Sequence, residues 1–218
     1  MVAGRHERRV VFLALVFGMT MTAGKTGQAA KFNRKVDVGK PAPVWKKLAG
    51  VDGRTHSLSD YKSAKVLVIA FMCNQCEVSQ AYEDRFIALA KEFKPSQVAL
   101  VGISCSLLPP DRLDKMVERA KKQRFNFDYL TDPSQQVGKD YGATVTPQLF
   151  VLDQSRNIAY MGRFDDSLYA DDVHRRFVNE AVRAILAGKE PDPSETRSTG
   201  CAIEYGKPNH LHEGSNGE

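Results

Sequence analysis

Val66-Leu67-Val68-Ile69-Ala70-Phe71-Met72, followed directly by Cys73-Asn74-Gln75-Cys76, is the stretch on which the reading of this 218-residue chain turns. Seven uninterrupted apolar residues are too few for most helices. With their β-branched side chains they fit a strand buried on both faces. Downstream, Val78, Tyr82, Phe86, Leu89 and Phe93 recur at helical spacing, which predicts an amphipathic helix stopped at Lys94-Pro95. The two cysteines therefore fall where a buried strand gives way to a helix. Unpaired N–H groups and the positive end of the helix dipole stabilise a thiolate there, and the thiolate is the form of sulfur that attacks a disulfide. The spacing places Cys73 exposed at the helix start as the attacking thiol and Cys76 one turn further in as the resolving thiol. A zinc site would need a second ligand pair, but Cys105 and Cys201 each stand alone. A purely structural bridge across so small a loop would add little stability.

Working outward, Val44 to Leu48 and Thr55 to Leu58 flank the turn signal Val51-Asp52-Gly53-Arg54 and predict a hairpin ahead of the buried strand. Val98 to Ile103 reads as the next strand. A helix follows on Leu113, Met116, Val117 and Ala120, capped by Asp111, with Lys121, Lys122 and Arg124 at its favourable C-terminal end. Gln148 to Leu152 and Ile158 to Gly162 read as two strands with a short connection, hence antiparallel. Val173, Phe177, Ala181 and Ile185 mark a last helix that Gly188 can end. Strands alternating with helices require parallel crossovers. The expected class is α/β, with a mixed sheet covered on both faces and a hairpin extension at its N-terminal side. The lone tryptophan, Trp45, reads as hairpin packing.

The ends of the chain differ from its body. Residues 1–30 supply three of the net +5 charges and join Arg5, Arg8 and Arg9 to the apolar run Val10–Met19. This is the pattern of a signal peptide, cut near Gly27-Gln28-Ala29-Ala30, and the run is too short to span a bilayer. The expected location is exported, periplasmic or secreted, where cysteines can oxidise. Beyond the domain at residues 31–188, residues 189–218 are rich in proline and polar side chains and read as a tail that drapes or stays mobile. Cys201 has no core to occupy there. It is a candidate third redox thiol, or else a partner for Cys105, which ends a strand. His210 and His212 make only a weak metal site and read as solvated loop. Nothing calls for a cofactor or metal, and no basic stripe on the body suggests nucleic acid. Composition, at 42% hydrophobic and 26% charged with four cysteines, excludes a disordered chain and a disulfide-dense miniprotein.

The sequence resembles exported thioredoxin-like proteins of the redoxin group, related to alkyl hydroperoxide reductase and thiol-specific antioxidant proteins. The resemblance spans about residues 36–187 and rests on VGKPAP, VDGRTHSLSDYK, FMCNQC, AYEDRFIALAKEF, YGATVTPQLFVLD and YMGRFDD. It implies a thioredoxin-like fold in which Cys73 and Cys76 are the catalytic pair. Pro147 would be a cis-proline beside them, and it and Thr146 would receive an extended substrate. The Gly200-Cys201 pair after the last helix also resembles this group. The implied activity is thiol–disulfide exchange with exported protein thiols or disulfides, served by an upstream electron donor or acceptor. Thiol peroxidases of the wider group carry Pro-x-x-x-Thr-x-x-Cys. Counted back from Cys76, this chain has Cys73 for the threonine and Ile69 for the proline, so peroxide reduction is the second expectation. A non-catalytic module that binds a metal or partner through the same thiols is the third.

Overall fold

The computed structural model describes Met1 and residues 30–206, so the signal-peptide reading and the His210–His212 reading lie outside the described residues. Extended chain enters along Pro41, and the N–H groups of Gly39 and Ala42 bond to the carbonyls of Ile158 and Arg156. A short hairpin follows, β1 (Leu48–Gly50) and β2 (Thr55–His56), turning at Gly53 with φ +79°. The hairpin is where the sequence places it but shorter, because Val44 faces solvent rather than a partner strand. The apolar run forms β3 (Val66–Phe71), every residue of which is buried. Then come α1 (Glu77–Glu92), β4 (Val98–Ser104), α2 (Leu113–Gln123), β5 (Asp128–Thr131), α3 (Gln136–Tyr141) and β6 (Val145–Thr146). The chain continues through β7 (Gln148–Leu152), β8 (Ile158–Gly162), α4 (Phe177–Leu186) and β9 (Cys201–Ala202).

Seven strands make one mixed sheet in the order β2-β1-β5-β4-β3-β7-β8. Strands β3, β4 and β5 run parallel at its centre, and β7 and β8 close one side antiparallel. The pleat divides β3 between two cores. Val66, Val68, Ala70 and Met72 face Phe86 and Leu89 of α1, Met116 of α2 and Val178 and Val182 of α4. Leu67, Ile69 and Phe71 face the opposite way, towards Trp45 and towards Val137 and Tyr141 of α3. Strand β5 and helix α3 have no counterpart in the sequence reading: at four and six residues each is shorter than the window in which periodicity can show.

Three expectations change. Asp111 lies in a 3₁₀ turn ahead of α2, and Arg112 rather than Asp111 precedes the helix. Val173 closes another 3₁₀ turn, so α4 starts only at Phe177. The tail, as far as residue 206, is docked. The Glu195 carboxylate accepts the N–H groups of Lys31, Phe32 and Asn33 at 2.6–3.1 Å. Further along, β9 pairs antiparallel with β6 in a second, two-stranded sheet. Among the described residues no helix is long and apolar enough to cross a membrane.

Candidate redox site

Strand β3 ends at Phe71, and α1 begins at Glu77 with Cys76 as its N-cap, so the helix starts a turn later than the sequence predicts. Cys73 precedes the helix instead of opening it. Both sulfurs are interior: Cys73 is 8% exposed and Cys76 2%. The loop between them is pinned on several sides. Asp111 accepts the N–H groups of Asn74 at 2.5 Å and Gln75 at 3.3 Å. The Asn74 amide donates to the Pro110 carbonyl at 2.8 Å, and Tyr129 Oη donates to Asn74 Oδ1 at 3.2 Å. Gln80 Nε2 reaches back to the Asn74 carbonyl at 2.6 Å. Asp111 is 1% exposed, and its second oxygen has no hydrogen-bond partner. The sequence reading spent this residue on a helix cap. No local pattern in the sequence points across the sheet to Asn74.

The second wall comes from the segment between β6 and β7. The Thr146–Pro147 peptide bond is cis. Thr146 Oγ1 lies 3.6 Å from Cys73 Sγ, and Cys76 Sγ lies 3.0 Å from the Thr146 carbonyl oxygen. Cys73, Cys76, Thr146 and Pro147 are thus gathered at one place, although 70 residues separate the two halves.

The third wall is the tail. In the β6–β9 ladder Cys201 stands opposite Thr146, and Ala202 opposite Val145. Gly200 rests directly on the Thr146 carbonyl, where a Cβ would overlap it, so only glycine allows this approach. The Cys201 thiol interacts with Cys76; desolvation and then that contact push it up, against the smaller pull of the Val78 and Glu77 N–H groups at the start of α1. Cys105, the other partner considered for Cys201, is elsewhere. It is 3% exposed and donates to Asp132 Oδ2 at 3.7 Å. Burial, then the Asp132 charge, push its thiol up and keep it unreactive.

The contacts within the pair lower Cys76 and raise Cys73. A hydrogen bond from the Cys73 thiol lowers Cys76 most, desolvation opposes it, and the Cys201 thiol, the Thr146 hydroxyl and the Ser79 N–H (3.3 Å from Sγ) add to the lowering. Cys73 moves the opposite way: it gives its proton to that hydrogen bond, is desolvated, and faces the Asp111 carboxylate. The sequence expects the thiolate at the first cysteine. The Cys73 hydrogen bond first, and the Ser79 N–H at the start of α1 after it, favour charge on Cys76 instead.

Residues 38–161 match the AhpC/TSA family. The chain belongs to the AhpC/TSA family. A curated relative, peroxiredoxin-4 of Dictyostelium discoideum, is 28% identical over 165 residues, 73% of this chain. The chain spans 63% of that relative's length. Two solved structures cover more of it. An uncharacterised conserved protein of Geobacillus kaustophilus shares 31% identity at a TM-score of 0.72, over 78% of this chain and 93% of its own. A hypothetical protein of Sinorhizobium meliloti 1021 shares 28% identity at a TM-score of 0.74, over 80% and 97%. The fold is thioredoxin-like, as the resemblance implies.

Other clusters in this AhpC/TSA member lie away from the thiols. Among the described residues, Asp52, His56 and Asp128 are grouped closely enough to suggest a metal. The donors are already engaged: His56 Nε2 meets Asp52 at 3.1 Å, while Nδ1 faces Tyr61 Oη at 3.3 Å and Asp128 at 3.7 Å. A surface cavity of ≈ 780 Å³ is lined by Lys65, Asp153, Ile185 and Lys189 among others and contains no cysteine.

Proposed function

We propose that this chain is a thiol–disulfide oxidoreductase that exchanges disulfides with protein partners in an exported compartment through Cys73 and Cys76. One observation carries the reading: two unbridged cysteines lie side by side, with the second at the N-cap of α1 and both against Thr146 and Pro147. In the dithiol form Cys76 holds the charge and Cys73 the proton. A Cys76 thiolate attacks one sulfur of a disulfide, the other sulfur leaves as a thiolate, and a mixed disulfide remains on Cys76. Cys73, once deprotonated, attacks the Cys76 sulfur and expels the second partner thiolate. The partner gains two electrons, one proton from Cys73 and one from solvent, and the Cys73–Cys76 disulfide holds the oxidised equivalent. The sum runs equally well in reverse, and the compartment's electron donor or acceptor sets the direction.

Peroxide reduction is the second reading, favoured by the family and by the stabilised thiolate at Cys76. Against it, Ile69 and Cys73 stand where the peroxidase pattern has proline and threonine. The test compares insulin disulfide reduction with hydrogen peroxide consumption, each driven by dithiothreitol, in wild type, Cys73→Ser and Cys76→Ser. The oxidoreductase reading expects insulin reduction lost in Cys76→Ser and slowed in Cys73→Ser, with little peroxide turnover. Peroxide turnover that survives Cys73→Ser and is lost in Cys76→Ser would favour the peroxidase. Insulin reduction unchanged in both variants would sink the assignment.

A further inference from the structure

The catalytic pair is covered. Cys73 and Cys76 are buried while Cys201, lying on Cys76, is exposed. It is open to solvent and interacts with Cys76 of the buried pair. The cover is itself a strand: β9 takes the antiparallel place on β6 immediately before Pro147, so its backbone fills the position an incoming extended chain would occupy. In that register Cys201 stands opposite Thr146, whose carbonyl oxygen lies 3.0 Å from Cys76 Sγ. Segments on either side hold it there. Thr196 Oγ1 bonds Tyr160 Oη at 2.6 Å upstream, and Tyr205 Oη donates to the Ala143 carbonyl at 2.8 Å downstream. Ile203 packs into the apolar core beside α3.

We propose that the tail is an internal substrate strand and that Cys201 is the outward-facing member of a three-thiol relay, Cys201 to Cys76 to Cys73. This rests on the oxidoreductase reading and specifies how a buried pair is reached. A deprotonated Cys201 attacks a partner protein's disulfide, forming a Cys201–partner mixed disulfide and releasing one partner thiolate. The Cys76 thiolate attacks the Cys201 sulfur, the second partner thiolate departs, and a Cys76–Cys201 disulfide remains. Cys73, after losing its proton, attacks Cys76 and returns Cys201 as a thiolate. The last step only moves a disulfide within the chain, so it consumes no oxidant.

The experiment uses the purified chain over residues 31–218 and three variants, Cys73→Ser, Cys201→Ser and Gly200→Val. Treated with oxidised glutathione and mapped without reduction, Cys73→Ser should accumulate a Cys76–Cys201 disulfide, since no thiol is left to resolve it. Cys201→Ser should still form the Cys73–Cys76 disulfide with glutathione, yet reduce insulin more slowly than wild type by about tenfold or more, because access governs the exchange rate. Gly200→Val keeps all four thiols but cannot seat its Cβ against Thr146, and should show the same loss. The relay is overturned if Cys73→Ser yields only glutathione adducts or intermolecular dimers. Full insulin activity in Cys201→Ser would overturn it equally. Failure of the underlying reading looks different: the wild type itself would neither form a Cys73–Cys76 disulfide nor reduce insulin.

Discussion

Replacing Cys73 with alanine should raise the titration midpoint of Cys76 while leaving the domain folded. The largest contribution holding Cys76 down is the hydrogen bond from the Cys73 thiol. The Ser79 N–H, at 3.3 Å, and the Thr146 hydroxyl remain in the variant. A hydrogen bond to a charged group contributes about 1.5–3 kcal/mol. At about 1.4 kcal/mol per pKa unit, its loss should move Cys76 up by roughly one to two units. The midpoint should still lie below the free-thiol value of about 8.5, because the helix terminus is intact. The measurement is ultraviolet thiolate absorbance against pH, made in a Cys201→Ser background so that the tail thiol does not report. Cys105 stays silent because burial and Asp132 hold it protonated. Cys76→Ala in the same background supplies the opposite arm: it should abolish the low-pH thiolate altogether. If the low midpoint survives Cys76→Ala and disappears in Cys73→Ala, the charge belongs to Cys73 and the N-cap argument is wrong.

Two further outcomes follow from the same contacts. Cys76 titrates well below its usual range when folded and near the free value of about 8.5 when unfolded, so between those two values the unfolded chain binds more protons. The stability Cys76 contributes to the reduced protein is complete above the upper value and is lost as the pH falls through the lower one. Urea midpoints of reduced wild type and Cys76→Ser should therefore converge on going from about pH 8 to about pH 4; a pH-independent gap would refute the assignment. Phe86, fully buried, is packed against Phe164 at 5.3 Å, Tyr82 at 6.1 Å and Phe127 at 6.4 Å between ring centroids. Phe86→Ala should cost about 3–5 kcal/mol by urea unfolding, and a loss under about 1 kcal/mol would mean that α1 is not seated through this ring.

What the sequence reveals here is what local physics controls. The run Val66–Phe71 can only be a buried strand, and the four-three spacing from Val78 to Phe93 can only be an amphipathic helix, so the junction carrying the cysteines is legible from eleven residues. The single turn that decides which cysteine caps the helix is not legible. It depends on Asp111, which takes the Asn74 and Gln75 N–H groups and so holds the loop open until Cys76. That contact spans more than thirty residues and two elements, and an aspartate before a helix looks the same whether it caps that helix or another loop. For a related reason the sequence does not choose the first of its two readings of the tail, draped or mobile. Its polar composition says correctly that it buries little, but Glu195 and Thr196 fasten it through backbone and hydroxyl groups, which hydrophobic patterning does not register.

The way the tail is fastened also explains how a covered site can turn over. Pairing between β6 and β9 amounts to two residue pairs, Val145 with Ala202 and Thr146 with Cys201, and so short a ladder opens at little cost. The anchors around it are of another kind. On one side Thr196 joins Met161 and Tyr160 at the edge of the main sheet. On the other, Gln135 holds the Glu204 carbonyl and the Gly206 N–H, and Tyr205 holds Ala143. Opening the ladder therefore frees a short bridge between fixed ends. While Cys201 engages a partner it stays tethered beside α1, and its return to Cys76 is a closure over a few residues, with a high effective concentration. A free tail would have to find the site by diffusion at every cycle, and a rigid one would exclude the partner. Fixed anchors flanking a two-residue strand give Cys201 both reach and return, and Gly200, the residue without a Cβ, lets the strand lie flat on the Thr146 carbonyl each time it closes.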